Sequence, residues 1–259
     1  MNQTERLDYL ITYLLKEQVE YQSIMIPESM MDKKRLLRSL MNLRSPAPIS
    51  AEFLNIQDDY LQMELSHHGI TELQQLIPVK KNIYLWQGDI TKLKVDAIVN
   101  AANNALLGCF IPCHGCIDNA IHSNAGIQLR LECQKIMSVQ NTPEATGKAK
   151  ITKGYNLPAQ YILHTVGPII HGSLTKEDCT MLQSCYRSCM ELAGQYHLKS
   201  IAFCCISTGE FHFPNDIAAQ IAIDTVLAYL KQTHSELEVV FNVYKDKDFT
   251  IYRELLGRD

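Results

Sequence analysis

The stretch Val95-Asp96-Ala97-Ile98-Val99-Asn100-Ala101-Ala102-Asn103 is a short apolar run that ends in two asparagines three residues apart. A run of this length with apolar side chains in succession reads as a strand covered on both faces. Four further runs have the same character, at residues 83–86, 161–165, 201–206 and 239–243. Between and after them lie helix-length segments at 117–134, 176–196, 215–231 and 248–256. Alternating strands and helices predict an α/β sheet with helices on both faces.

Upstream of residue 80 the period changes. Leu7, Leu10, Ile11, Leu14 and Leu15 recur at the spacing of one buried helix face. A second helix follows Pro27, with Met30, Met31, Leu36, Leu37, Leu40 and Met41 as its apolar positions. After the break at 45–48, Ser50 is the N-cap of a third helix running through Leu61 towards Gly69. No strand is expected before Lys80. The chain therefore divides into a helical extension, 1–79, and an α/β body, 80–259. No Gly/Ser/Pro-rich tether separates them, so the extension is expected to pack on the body.

With 259 residues, 46% hydrophobic and 20% charged, the chain is long enough to bury a core without staples. Its 24 basic against 28 acidic residues give a formal charge of −4, which excludes a general phosphate-backbone binder. The apolar runs are far too short to span a membrane. Nine cysteines and a polar start at Asn2, Glu5 and Asp8 point to a reducing, cytoplasmic setting, with thiols or metal ligands rather than disulfides.

Open α/β sheets bind ligands beyond the carboxyl ends of their strands, and three such junctions carry chemistry. Gln87-Gly88-Asp89-Ile90-Thr91 is a glycine turn presenting an acid. Ile206-Ser207-Thr208-Gly209-Glu210-Phe211-His212-Phe213-Pro214 offers successive backbone N–H groups to an anion just ahead of a helix. Between these in the sequence, Cys109-Phe110-Ile111-Pro112-Cys113-His114-Gly115-Cys116-Ile117-Asp118 leads into a helix carrying His122. His114 and Cys116 project to one side of an extended stretch, and Cys109 reaches back across a turn at Pro112. Thiolates with an imidazole suit zinc. Two ligand sets are open: Cys109, His114 and Cys116, which leaves a coordination position free, or a closed site that adds Cys113. Asp118, an acid in the first turn of a helix, reads by spacing alone as a cap or dipole partner. His122, His164 and His171 read as core histidines, and Cys204 and Cys205 as buried thiols.

Taken together, the Gly-Asp-Ile-Thr turn, the strand 95–103, the stretch 147–168 and the Ile-Ser-Thr-Gly loop resemble the macrodomain family of ADP-ribose binders and hydrolases. The Cys-x₄-His-x-Cys loop in place of a glycine run resembles its zinc-containing microbial branch, which has a helical N-terminal extension. The resemblance implies a three-layer α/β/α fold with a mixed central sheet. It implies a protein-ADP-ribose hydrolase with one Zn2+ on Cys109, His114 and Cys116. The catalytic residues would be Asp118 and Asn103, with Asn100 a strand-end structural amide. Asp89 and Ile90 would hold adenine, and Asn103, Cys116, Ile117 and Asp118 the distal ribose. Ser207, Thr208, Gly209, Glu210 and Phe211 would wrap the diphosphate, and Tyr244 or Phe249 offers a stacking ring. The implied substrate is mono-ADP-ribose on an acidic side chain of a partner protein, with a lipoyl-carrier protein and a sirtuin-like ADP-ribosyltransferase as companions. The competing reading is a non-catalytic ADP-ribose-binding module with a structural zinc.

Overall fold

A computed structural model describes residues 1–257. Asn2 opens α1 (Gln3–Glu17) with a capping box, exchanging 2.9 Å hydrogen bonds with Glu5. Ser29 and Ser50 cap α2 (Met30–Leu43) and α3 (Ala51–His68) through their hydroxyls. Such caps contribute about 1 kcal/mol each. The spaced leucines of α1 bury themselves against Leu37, Leu40 and Met41 of α2 and Phe53 and Tyr60 of α3. A two-pronged ion pair from Arg44 to Glu17, at 2.7 and 2.9 Å, ties the ends of α1 and α2 together.

The body then runs β1 (Thr71–Glu72), β2 (Pro78–Lys80), β3 (Ile83–Gln87), β4 (Leu93–Lys94), β5 (Ala97–Ala101), α4 (Ile117–Ala125), α5 (Ile127–Gln140), β6 (Ala149–Lys153), β7 (Tyr161–Thr165), α6 (Lys176–Gln195), β8 (Ser200–Phe203), α7 (Asn215–Thr233), β9 (Glu238–Val243) and α8 (Asp246–Leu256). Seven strands form one sheet in the order β2-β3-β9-β8-β5-β7-β6. The five inner strands are parallel, and β2 and β6 run antiparallel at the edges, so the sheet is mixed. Residues of β5, β8 and β9 are buried in succession, which requires helices on both faces. Among the described residues, no helix is long and apolar enough to cross a membrane, and all nine cysteines are unpaired.

Several local expectations need correction. Two strands precede or reach Lys80: β1 pairs with β4 over only two residues, and β2 is a largely exposed edge strand, so neither has an apolar period to reveal it. The helix expected over 117–134 is two helices, because Gly126 adopts φ 98° and both ends α4 and starts α5. The strand expected over 201–206 stops at Phe203, where the chain turns into the loop that holds Ser207 at φ 64°.

The extension packs on the body through matched apolar and polar contacts. Ile127 of α5 is a member of the extension's own core, with Leu131 packed beside it. Fully buried Gln57 accepts the Ile127 N–H at 3.0 Å and donates to Gln128 Oε1 at 2.6 Å, and Asn156 donates to Asp58 at 2.7 Å. Arg130 donates to the carbonyl oxygens of Met41, Asn42 and Arg44 at the end of α2. A chain beginning at Lys80 strips Arg130 of those acceptors and exposes Ile127. It should aggregate or melt well below the full chain in differential scanning calorimetry; equal melting would show the two parts to be independent.

Candidate active site

Asn100 lies near the end of β5 and Asn103 two residues beyond it, and both turn their amides to the same carboxylate. Asn100, fully buried, donates to Asp118 Oδ1 at 2.8 Å, and Asn103 donates to Asp118 Oδ2 at 3.2 Å. Asp118 sits in the first turn of α4 with 5% of its surface exposed. Burial raises its carboxyl to about 6, against the pull of the Asn100 amide and the Arg130 charge. Asn100 is thus more than a strand-end amide. The sequence hint for that role is its three-residue spacing from Asn103, which the expectation did not use.

Behind Asn100 lies a buried chain of hydrogen bonds. The Asn100 amide nitrogen, fixed by its carboxylate acceptor, is also 3.1 Å from His164 Nδ1. That ring nitrogen must accept, so the proton sits on Nε2, which donates to Thr152 Oγ1 at 2.9 Å. Burial pushes His164 down to about 3. His122 is also held well below its ordinary range, by burial first and then by His164 and Arg130, and its Nε2 stands 3.5 Å from Asp118 Oδ1. His122, Cys133 and His164 also present donor atoms within 4.8 Å of one another. Both nitrogens of His164 are already engaged, so this trio reads as core rather than as a metal site. The expectation of a core residue holds for His164 and His122 and fails for His171, which is exposed on the loop before α6. Cys204 is buried, and Cys205 only partly so.

The loop between Asn103 and Asp118 doubles back on itself. His114 N–H bonds to Ile111 C=O at 3.2 Å, with Pro112 second and Cys113 third in the turn at φ 52°, a type II arrangement. That left-handed residue aims Cys113 at α2, its Sγ 3.2 Å from Ser39 Oγ and 3.4 Å from Arg35 C=O. Cys109, His114 and Cys116 face the other way, with donor atoms within 4.8 Å of one another and Cys109 Sγ 3.6 Å from His114 Nδ1. Cys116 doubles as the N-cap of α4, accepting the Asn119 N–H at 3.4 Å. Burial raises its thiol to about 12, with Cys109 and Asp118 adding to the rise and the Asn119 N–H opposing it. Two thiols and an imidazole on a partly exposed loop are a donor set that soft-to-borderline divalent metals take.

The remaining expected residues flank this centre. Asp89 caps a short 3₁₀ turn, and both of its bonds, to Thr91 N at 3.0 Å and Thr91 Oγ1 at 2.7 Å, fall on Oδ1. Ile90 is buried beneath it. In the loop after β8, bonds inside the turn use the N–H groups of Thr208, His212 and Phe213. Among the described residues, none uses those of Gly209, Glu210 or Phe211, and a Cβ on Gly209 would stand in open space. The Ser207 hydroxyl is buried without a partner. Glu210 Oε1 comes within 3.7 Å of His114 Nε2, so this loop touches the Cys/His loop. Ile117 is partly buried beside Cys116. Tyr244 is 77% exposed just past β9, whereas Phe249 packs against the main core.

The sequence pattern described as "Macro domain" matches residues 99–222, from within β5 through the Cys/His loop and the loop after β8. A protein named "Protein-ADP-ribose hydrolase" from Treponema medium is 53% identical over 99% of this chain and 100% of its own length. The chain belongs to the Macro domain family. A protein of the same name from Staphylococcus aureus (strain Mu50 / ATCC 700699) is 51% identical over 98% of this chain and 96% of its own. Among solved structures, the Trypanosoma brucei macrodomain in complex with ADP-ribose is similar with a TM-score of 0.66 and 32% identity, over 89% of this chain and 97% of that one. The first two matches include the helical extension, and the mixed sheet and its flanking helices are those of a macrodomain.

The buried histidines carry a pH signature. A histidine depressed to about 3 from its ordinary 6.5 supports folding fully above pH 6.5 and progressively loses that support as pH falls towards 3. His164→Asn keeps an acceptor beside Asn100 but has no titrating ring. Between pH 4 and 6 its urea-derived unfolding free energy should fall less steeply than that of the unmodified chain, by about 1.4 kcal/mol per pH unit, one proton's worth. Parallel slopes would refute the assignment.

Proposed function

We propose that this macrodomain is a hydrolase that removes mono-ADP-ribose from modified proteins, cleaving at the anomeric carbon of the distal ribose, with one zinc ion on Cys109, His114 and Cys116. The observation that carries the reading is the meeting of an amide-held, buried carboxylate and a Cys/His/Cys trio on one short loop, with Cys113 turned away. The relatives named protein-ADP-ribose hydrolase, matched over nearly their whole lengths, support the reaction class. Zinc held by Cys109, His114 and Cys116 would supply Lewis acidity to the hydrolysis.

The chain's own residues divide the remaining work. Asp89 takes the exocyclic amine of adenine on Oδ2, since its turn bonds occupy Oδ1. The N–H groups of Gly209, Glu210 and Phe211 receive the diphosphate, with Ser207 and Thr208 shaping the turn. Asn103, Cys116 and Ile117 line the distal ribose. Hydrolysis adds water's oxygen to the anomeric carbon and returns a proton to the departing carboxylate of the acceptor side chain. Asp118, with a carboxyl near 6, is poised to orient the ribose and to pass that proton. Asn100 and Asn103 keep its oxygens aimed.

A mono-ADP-ribosylated acidic side chain is the substrate we propose, with a lipoyl-carrier protein as its bearer, a sirtuin-like transferase as its source and a cytoplasmic setting. A closed site would favour the non-catalytic alternative, and the seating of Cys113 against α2 argues for the open one.

The test is release of ADP-ribose from an auto-modified acceptor protein in single turnover. Chelated protein should lose several orders of magnitude in rate, and Asp118→Ala about 10² to 10⁴-fold. Undiminished hydrolysis after chelation would reduce the metal to scaffolding. Hydrolysis unchanged in Asp118→Ala would remove the acid from the mechanism.

A further inference from the structure

The turn that aims the Cys/His loop has its third residue, Cys113, in the left-handed region, a conformation that costs a non-glycine residue about 1 kcal/mol or more unless its surroundings impose it. The imposing groups come from the helical extension. Asn42 Oδ1 accepts the Cys113 N–H at 2.9 Å, while Asn42 Nδ2 donates to Ser123 Oγ in α4 at 2.9 Å. Arg38 donates to the His114 carbonyl at 3.1 Å and twice to Asn119 Oδ1, at 3.1 and 2.7 Å. The other end of that amide, Asn119 Nδ2, donates to the Ile111 carbonyl at 2.9 Å. One helix therefore grips the loop on both sides of Cys113, and through Asn119 it also holds the residue that starts the turn.

The contacts are directional. Asn42 is buried and Arg38 half-buried, so water does not readily replace either. Released, the turn at 111–114 could relax towards a backbone that swings Cys113 and His114 together, scattering the trio. The far side of the loop is held separately: Arg130 donates to Leu107 C=O at 2.6 Å and lies 4.2 Å from the centre of the Phe110 ring.

We propose that Arg38 and Asn42 are positioning residues for the metal trio, so that the helical extension sets the chain's affinity for zinc. This rests on the reading of Cys109, His114 and Cys116 as zinc ligands. Groups that orient a ligand from outside the coordination shell typically change metal affinity by about 10 to 100-fold when removed. Neither residue bonds to the adenine turn or to the loop after β8, where the adenine and diphosphate contacts are proposed, so most of the ADP-ribose affinity does not depend on them.

Zinc affinity of the full chain is measured by competition with a chromogenic chelator, and ADP-ribose affinity of the metal-free protein by calorimetry. Arg38→Ala and Asn42→Ala should each weaken zinc about 10 to 100-fold, with ADP-ribose affinity unchanged within about twofold. Asn42→Asp keeps the acceptor for the Cys113 N–H and can accept from the Ser123 hydroxyl in place of donating to it, so it should recover part of the zinc affinity lost in Asn42→Ala, and it separates positioning from a general loss of fold. Both alanine variants holding zinc as tightly as the unmodified chain, or losing ADP-ribose and zinc in parallel without rescue by Asn42→Asp, would overturn the inference. An unmodified chain that takes up no zinc would instead remove the reading beneath it.

Discussion

Burying a carboxylate is expensive unless its oxygens are met by donors, and Asp118 is buried to 5% exposure. The molecule meets that cost with two amides from the end of one strand, Asn100 on Oδ1 and Asn103 on Oδ2. Everything around the site follows from the pairing. The start of α4 must abut the end of β5, so the residues between them have to leave and return within a short compass. The returning loop brings Cys109, His114 and Cys116 to the same place as the acid. Asn100 in turn is steadied by His164, whose proton position is dictated by the chain of acceptors running back to Thr152.

The helical extension belongs to the same construction. Its own core is small, and it is completed by Ile127 from the body. The end of α2 gives carbonyl oxygens to Arg130, a cation that burial alone would make untenable and that is pulled down to about 10. In exchange, Arg130, Arg38 and Asn42 hold the Cys/His loop from two sides. The fold thus couples an appendage without strands to the chemistry at the strand ends.

Much of this was legible in the sequence, for physical reasons. Strands buried on both faces are continuous apolar runs, so β3, β5, β7 and β9 announce themselves, and the leucine period of α1 does the same. What stayed hidden was polar or local. Strand β6, with Lys150 and Lys153, is an edge strand whose alternation carries little apolar signal. Gly126 splits one apparent helix into two through its dihedral alone. The trio lies on one loop whose spacing can be read directly, whereas Asp89, Asn103 and Asp118 were singled out by the resemblance of the motifs around them. Arg38 and Asn42 could not be placed that way, because their partners are 76 to 81 and 71 to 81 residues distant. A lone arginine between Leu129 and Leu131 was a missed signal, since a buried cation has to be answered by acceptors from elsewhere.

The central claim is that an open, three-ligand metal site shares a loop with Asp118. X-ray absorption at the zinc edge of the purified full-length protein tests it most directly. The account predicts two sulfur neighbours at about 2.3 Å, one imidazole nitrogen at about 2.0 Å and one further oxygen or nitrogen. Three sulfur neighbours, which would bring Cys113 into a closed site, or a protein that carries no zinc, would contradict it.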